Sequence, residues 1–127
     1  AVVEVEPKTG KVVWEYHSKD SNSFYSYRQG AAQRLPNGNV LVTSSNHGHV
    51  FEVTPKKEIV WDWVNPVHNG QLKCYLEDAD DKNIMNNTIH RAYRYGKDYP
   101  GLKGKDLSKK VPFPEECPQF FKVYKTK

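Results

Sequence analysis

Residues 30–63 contain four short strand-like segments joined by three tight turns, and this pattern constrains the fold more than any other feature of the sequence. Residues 37–38 (Asn-Gly) favour a two-residue β-hairpin, because both residue types tolerate positive φ. Residues 46–48 (Asn-His-Gly) and 55–57 (Pro-Lys-Lys) separate the other segments and are also rich in turn formers. These four strands predict an up-and-down antiparallel sheet of the size of one β-propeller blade.

The second half of this pattern is an internal repeat. Residues 3–16 (VEVEPKTGKVVWEY) match residues 51–63 (FEVTPKKEIVWDW) when one residue is deleted in the turn. The spacing from Val3 to Phe51 and from Trp14 to Trp61 is within the range of propeller blade repeats. The earlier stretch is therefore predicted to form the two outer strands of a preceding blade.

The sequence as a whole predicts an all-β protein made of antiparallel four-stranded β-propeller blades, about one and a half to two of them, with an extended C-terminal strap. The predicted order is outer strands in residues 1–16, an inter-blade linker in 17–29, a complete blade in 30–63, an irregular loop and a further inner strand in 64–107, and a Pro/Lys-rich strap in 108–127. Such blades cannot close a ring, so the partners we expect are the remaining blades of the propeller or another protein subunit.

The inter-blade linker is polar and carries side chains suited to a binding cavity. His17, Tyr25, Tyr27 and Arg28 could line the mouth of a central cavity, because loops of a rigid scaffold often carry function. Ordinary loop polarity is the alternative interpretation of the same residues.

Residues 88–95 (TIHRAYRY) alternate like a β-strand. This alternation predicts that His90, Ala92 and Arg94 share one face and that the intervening residues share the other. We interpret the segment as the start of a further sheet near the propeller axis.

The net charge of +4 and the pI of about 9.0 come largely from lysines near the C-terminal end. A nucleic-acid surface usually interleaves arginine with aromatic residues, so a solvated tail is favoured over nucleic-acid binding. No run approaches the roughly 20 apolar residues that a membrane span requires. The sequence starts in mid-strand, without an initiator Met or a signal-peptide core, which we interpret as a processed or fragmentary chain.

Cys74 and Cys117 are the two cysteines of the sequence. In an oxidising compartment they could form one disulfide that pins the C-terminal strap to the domain. Two unpaired thiols are an equal alternative, since the sequence does not give their separation in space.

Two further short motifs lie between the predicted blade and the predicted inner strand. Residues 77–83 carry alternating carboxylates that could bind Ca²⁺, but Lys82 stands where an oxygen ligand is wanted and no bidentate glutamate follows. Asn86 begins an N-x-T pattern, which matters only in a pathway that glycosylates proteins.

Two long motifs together resemble a known family. Residues 30–66 (GAAQRLPNGNVLVTSSNHGHVFEVTPKKEIVWDWVNP) and 90–107 (HRAYRYGKDYPGLKGKDL) are similar to the C-terminal part of bacterial arylsulfotransferase-like, PQQ-type β-propellers, a resemblance that covers about residues 1–107. It implies a protein exported to the periplasm or outside the cell. It also implies enzymes that move a sulfuryl group from a phenolic sulfate to another phenol through an axial histidine, without a nucleotide cofactor.

Sulfuryl transfer by an imidazole needs a neutral histidine and cationic or hydrogen-bonding groups around the sulfuryl oxygens. His90 is the candidate nucleophile, with Arg91, Arg94 and Asn46 as candidate stabilising groups. In the enzymes that the chain resembles, the nucleophile precedes an LPNGN-type hairpin, where this chain has residues 29–32 (Gln-Gly-Ala-Ala). The sequence therefore favours a structural or interaction component over a sulfotransferase.

His47, His49 and His90 offer a third hypothesis, a copper or zinc site, if the hairpin end faces the propeller axis. A polar hairpin tip is the alternative interpretation of the His-Gly-His turn. The sequence predicts no other cofactor. It has no Ser-His-Asp, phosphate-loop or dinucleotide-binding signature, so hydrolases and nucleotide-dependent enzymes have no support.

Overall fold

The computed structural model describes residues 1–18, 26, 28–68, 71–72, 87–108 and 121–123. These ranges form an all-β structure with two short 3₁₀ helices, Ser45–His47 and Pro100–Leu102, and no α-helix. The strands are β1 (Val2–Val5), β2 (Val12–Tyr16), β3 (Gly30–Arg34), β4 (Val40–Ser44), β5 (His49–Val53), β6 (Ile59–Val64), β7 (Val67–His68), β8 (Gln71–Leu72) and β9 (Phe121–Val123). The predicted all-β class is therefore confirmed.

The central sheet has the strand order β3-β4-β5-β6-β9, and every neighbouring pair in it is antiparallel. Its first four strands are the four that the turn pattern predicts, in chain order. β1 pairs with β2 and β7 with β8 in two smaller antiparallel sheets. The division of the chain into propeller blades stays a prediction.

The first hairpin of the central sheet closes through a three-residue loop, so the predicted two-residue turn is wrong. Leu35 N–H donates to Asn39 C=O at 2.8 Å, and Gly38 N–H donates to Leu35 C=O at 2.9 Å. Gly38 is left-handed, with φ 83°, whereas Asn37 is not. Pro36 explains the difference, because its fixed φ suits the first central position of a type I turn, which a left-handed glycine then follows.

The internal repeat extends to the details of the backbone. The β1–β2 turn closes from Glu6 to Lys11 at 2.8 Å, and the β5–β6 turn closes from Thr54 to Glu58 at 2.9 Å, one residue shorter. Both hairpins also contain a register shift, which falls between Glu4 and Val5 in one and between Glu52 and Val53 in the other. The two outer hairpins thus share turn position and bulge position.

Each face of the central sheet has its own apolar cluster. On one face the β1–β2 hairpin packs against the buried residues Val40, Val42, Phe51 and Val53, with Tyr16 as its buried contribution. On the other face Ile89 and Ala92 pack with Trp61 and Trp63 against Leu35, Leu41 and Val50. β4 is buried along its whole length. Cover on both faces explains why Val40, Leu41 and Val42 are apolar in succession rather than in alternation.

Residues 87–95 contain no β-strand, so the predicted inner strand is wrong as secondary structure. The backbone groups of Ala92 and Arg94 bond to side chains instead of a neighbouring strand. Ala92 N–H donates to Thr43 Oγ1 at 3.1 Å, Arg94 N–H donates to Gln33 Oε1 at 2.8 Å, and Gln33 Nε2 donates to Arg94 C=O at 3.0 Å. Inward and outward positions still alternate from Arg91 to Tyr95.

β9 is the described part of the predicted C-terminal strap beyond Ser108. It is extended and pairs with the outer edge of β6, with Phe121 opposite Trp63 and Val123 opposite Trp61. Pairing of this kind protects a sheet edge that would otherwise be open. Within the described ranges, no helix has the length and apolar character to cross a membrane.

Candidate functional site

Three connections meet at one end of the central sheet, which we name the loop end. The register places Gly30 opposite Ser44, Ser44 opposite His49, and His49 opposite Val64. The entry to β3, the β4–β5 turn and the exit of β6 are therefore neighbours, while the proline-containing turns lie at the opposite end. The loop end is where the fold gathers the Asn46 and His47 side chains of the sequence predictions.

The β4–β5 turn is a single 3₁₀ turn that ends on Gly48. Gly48 N–H donates to Ser45 C=O at 3.0 Å, and its φ of 55° is in the left-handed region that glycine adopts without strain. A Cβ at this position would collide with the Asn87 carbonyl. Glycine is therefore required for both the turn and the close approach of the later segment.

Asn87 is a buried polar residue that clamps the loop end, and sequence reasoning missed it. Its Nδ2 donates to His47 C=O at 3.1 Å, and Asn65 Nδ2 donates to the Asn87 carbonyl at 2.9 Å. Asn65 N–H in turn donates to Gly48 C=O at 2.7 Å. These bonds tie the β4–β5 turn, the exit of β6 and residues 87–89 into one unit.

Ser45 and Ile89 bring two of the predicted catalytic residues into adjoining segments. The buried Ser45 hydroxyl donates to Ile89 C=O at 2.5 Å, and Ile89 N–H donates to Ser45 C=O at 3.3 Å. Asn46 and His90 each follow one of these bonded residues. His90 is exposed, so the predicted nucleophile lies at the surface of the loop end.

The two predicted arginines have different surroundings. Arg91 is exposed, and its Nη1 donates to the Tyr93 hydroxyl at 2.6 Å. Arg94 forms an ion pair with Glu52, and its guanidinium lies 4.7 Å from the centre of the Trp61 ring. Burial lowers the pKa of Arg94. The Arg94 guanidinium is thus engaged by the blade, whereas Arg91 remains at the surface.

The fold changes the electrostatics of the His47 imidazole. Its Nδ1 lies 3.3 Å from the Ser44 hydroxyl. Burial, and then the charge of His49, lowers the pKa of His47, so its neutral form is favoured. A neutral imidazole is the form that a nucleophile or a metal ligand requires.

His49 points into the junction with the β1–β2 hairpin, where its Nε2 pairs with Asp62 and its ring lies 4.8 Å from the Phe51 ring. Burial, followed by the charge of Asp62, raises the pKa of Tyr16 in the same junction. No group of three His, Cys, Asp or Glu side chains suited to a metal occurs among the residues described. His47, His49 and His90 therefore do not form a ligand set there.

An open cleft of about 600 Å³ runs along the inner strand β3. Gly30, Ala31, Ala32 and Arg28 are among its lining residues. The place of Arg28 at the mouth of a central cavity stays a prediction. His17 is exposed and pairs with Glu15 at 3.4 Å. The predictions for Tyr25, Tyr27, Cys74, residues 77–83, Asn86 and Cys117 lie outside the described residues.

Comparison with known proteins gives one match. A family model described as arylsulfotransferase (ASST) matches residues 1–66, which contain β1 to β6. No match was found among curated proteins or among solved structures. The matched range includes His47 and His49 and ends before His90.

Proposed function

Because this chain belongs to the arylsulfotransferase family, we propose that it is a structural component of an arylsulfotransferase-type β-propeller and has no sulfuryl-transfer activity by itself. It contributes one complete blade, residues 30–63, and parts of the two neighbouring blades. The observation that carries this proposal is a three-residue contact that occurs at both junctions of the blade.

The first of these contacts, which we name the first clasp, joins the β1–β2 hairpin to the blade. Arg34, the last residue of β3, pairs with Glu4 of β1. The Arg34 guanidinium also lies 5.2 Å from the centre of the Trp14 ring of β2. An arginine at the end of one inner strand is thus held by a carboxylate and an indole of the preceding hairpin.

The second clasp joins the blade to residues 90–95 with the same residue types. Arg94 pairs with Glu52 of β5 and lies over Trp61 of β6, the repeat equivalents of Glu4 and Trp14. Arg94 therefore contacts the blade in the same way as Arg34 contacts the β1–β2 hairpin. Equivalent clasps on either side of one blade are expected where blades follow one another around a propeller.

The inner strand supports a non-catalytic role. Gly30, Ala31 and Ala32 line the cleft with side chains that offer no nucleophile and no proton carrier. A propeller built with such a strand keeps the wall of its cavity but lacks an imidazole there. We further propose export to the periplasm or the extracellular space, with the remaining blades or another subunit as partners, as the family resemblance implies.

Sulfuryl transfer through His90 is a second candidate function, and the second clasp favours it. Residues 90–94 align with residues 30–34 when Arg94 is superposed on Arg34, which gives His90 the position of Gly30 at the start of an inner strand. Asn46 and Arg91 are then its candidate stabilising groups, since the guanidinium of Arg94 is already bound to Glu52.

An assay of sulfuryl transfer between two phenols, made with the purified folded chain, tests the proposal and separates the candidates. We expect no turnover above that of buffer. Turnover that His90→Ala abolishes, while the matched exposed-histidine control His17→Ala retains it, would overturn the structural role and establish the second candidate. Turnover that survives His90→Ala contradicts both.

A further inference from the structure

The β1–β2 hairpin exposes apolar residues whose equivalents in the blade are buried. Val3 and Val5 are 48% and 46% exposed, whereas Phe51 and Val53, at the same repeat positions, are 2% and 0% exposed. The β1–β2 hairpin itself supplies the cover for the blade, for example through Tyr16, whose ring centre lies 5.8 Å from that of Phe51. The same surface is therefore covered at one junction and open at the other.

The covering surface is repeated as well. Tyr16 of β2 packs towards the blade, and its repeat equivalent on β6 is Trp63. Trp63 and Trp61 lie on the opposite face of the blade, where they are partly buried and pack against the buried Val50. One chain therefore carries both halves of a blade junction, an open acceptor on β1 and a donor on β6.

We propose that two copies of this chain associate head to tail, with the Trp63 face of one copy packing on Val3 and Val5 of the other. This inference rests on the proposed function, because it extends the observed blade junction from one chain to two. The contact reproduces the packing of Tyr16 on Phe51, and it buries valines that water otherwise covers. It is heterologous, so repeated addition gives a ring or an open filament.

Sedimentation equilibrium of the purified chain over a range of concentrations tests the contact. We expect the wild-type chain to form dimers and larger species. Val5→Lys should remove them by raising the dissociation constant roughly tenfold or more, because the contact would desolvate an unpaired ammonium. Leu107→Lys is the matched control, since Leu107 is also exposed and apolar but lies outside β1. It should leave the association unchanged.

A mixing experiment tests the head-to-tail geometry. Val5→Lys removes the acceptor and keeps the donor, whereas Trp63→Lys removes the donor and keeps the acceptor. Each variant alone should be monomeric, and an equimolar mixture should form dimers but nothing larger. Trp63→Gln replaces Trp63→Lys if near-UV circular dichroism shows that lysine is not tolerated.

A folded wild-type chain that stays monomeric at all concentrations overturns the inference, and so does self-association that Val5→Lys leaves intact. A mixture of the two variants that stays monomeric also overturns it. These results are independent of the sulfuryl-transfer assay. Turnover through His90 would contradict the structural role but would not change the association state. A chain that stays monomeric would contradict the head-to-tail contact but would not produce turnover.

Discussion

The two junctions of the proposed blade, with the β1–β2 hairpin and with residues 90–95, use the same three residue types in different surroundings. In the first clasp, the Glu4 side chain is 44% exposed, whereas in the second clasp the Glu52 side chain is 6% exposed. The first junction depends on apolar packing around Tyr16 and Phe51. At the second junction, polar side chains of the central sheet hold residues 87–95 in addition to the apolar packing of Ile89 and Ala92.

This difference shows that a repeated contact need not have a repeated energetic role. Glu52 accepts two further hydrogen bonds, from Asn39 Nδ2 at 2.6 Å and from Asn37 Nδ2 at 3.2 Å. Asn37 lies in the Pro-Asn-Gly turn and Asn39 directly follows it, so this hairpin connection satisfies a buried carboxylate as well as closing a hairpin. A buried charge is costly to leave unpaired, while an exposed ion pair contributes little.

The apolar character of the first junction predicts the largest effect. Phe51→Ala should lower the free energy of unfolding by about 3–5 kcal/mol, because it removes a buried ring and leaves a cavity. Val3→Ala, the control at the equivalent repeat position, should cost less than about 0.5 kcal/mol, because Val3 is exposed. Urea unfolding followed by tryptophan fluorescence measures both. Similar losses for the two variants would mean that the β1 face is already covered.

The two clasps should respond unequally to the same substitution. Glu52→Gln should cost about 2–3 kcal/mol, less than for a fully buried pair because Arg94 is partly exposed. Glu4→Gln should cost about 0.5 kcal/mol or less, as is usual for exposed ion pairs. Urea unfolding measures both costs. Adding 0.5 M salt should reduce the cost of Glu4→Gln and leave the cost of Glu52→Gln unchanged. Equal losses would contradict the distinction between the junctions.

The polar attachment of residues 87–95 depends on Gln33. Gln33→Leu removes the donor and the acceptor that hold the Arg94 backbone and should cost about 1–2 kcal/mol locally. Amide hydrogen exchange at Arg94 should become faster by the factor that corresponds to this loss of free energy. The Leu35 amide, which donates to Asn39 C=O at 2.8 Å across the first hairpin, is the internal control and should keep its protection. An unchanged Arg94 amide would show that other contacts hold this segment.

The elements that the sequence predicts correctly are those encoded locally. The strands of residues 30–63 follow from turn residues between β-favouring runs, and the outer hairpins follow from a direct repeat. Residues 88–95 alternate like a strand, yet the backbone partners of Ala92 and Arg94 are the Thr43 and Gln33 side chains, which are far away in sequence. Alternation indicates an extended chain but does not show what that chain bonds to.

The difference between local and distant partners also explains which parts of the candidate site the sequence predicts. Asn46 and His47 could be placed at a turn from the sequence because a glycine follows them. The clamping role of Asn87 and the pairing of Glu52 with Arg94 join residues that are far apart in sequence, so no local pattern reveals them. The nearest sequence signal for Asn87 was the N-x-T pattern, in which it is the central residue.

The smallest expected effect is the pH dependence that His47 contributes at the loop end. Its pKa is lowered from 6.5 by burial and by the charge of His49, so the unfolded chain binds a proton there more readily than the folded chain does. The contribution of a neutral His47 to stability is therefore complete above pH 6.5 and is lost as the pH falls below that value. His47→Asn should flatten this part of the curve of unfolding free energy against pH. If the His47→Asn variant keeps the slope of the wild-type curve, the acid sensitivity belongs to another group. In that case the loop end contributes no pH dependence to the difference between the two junctions.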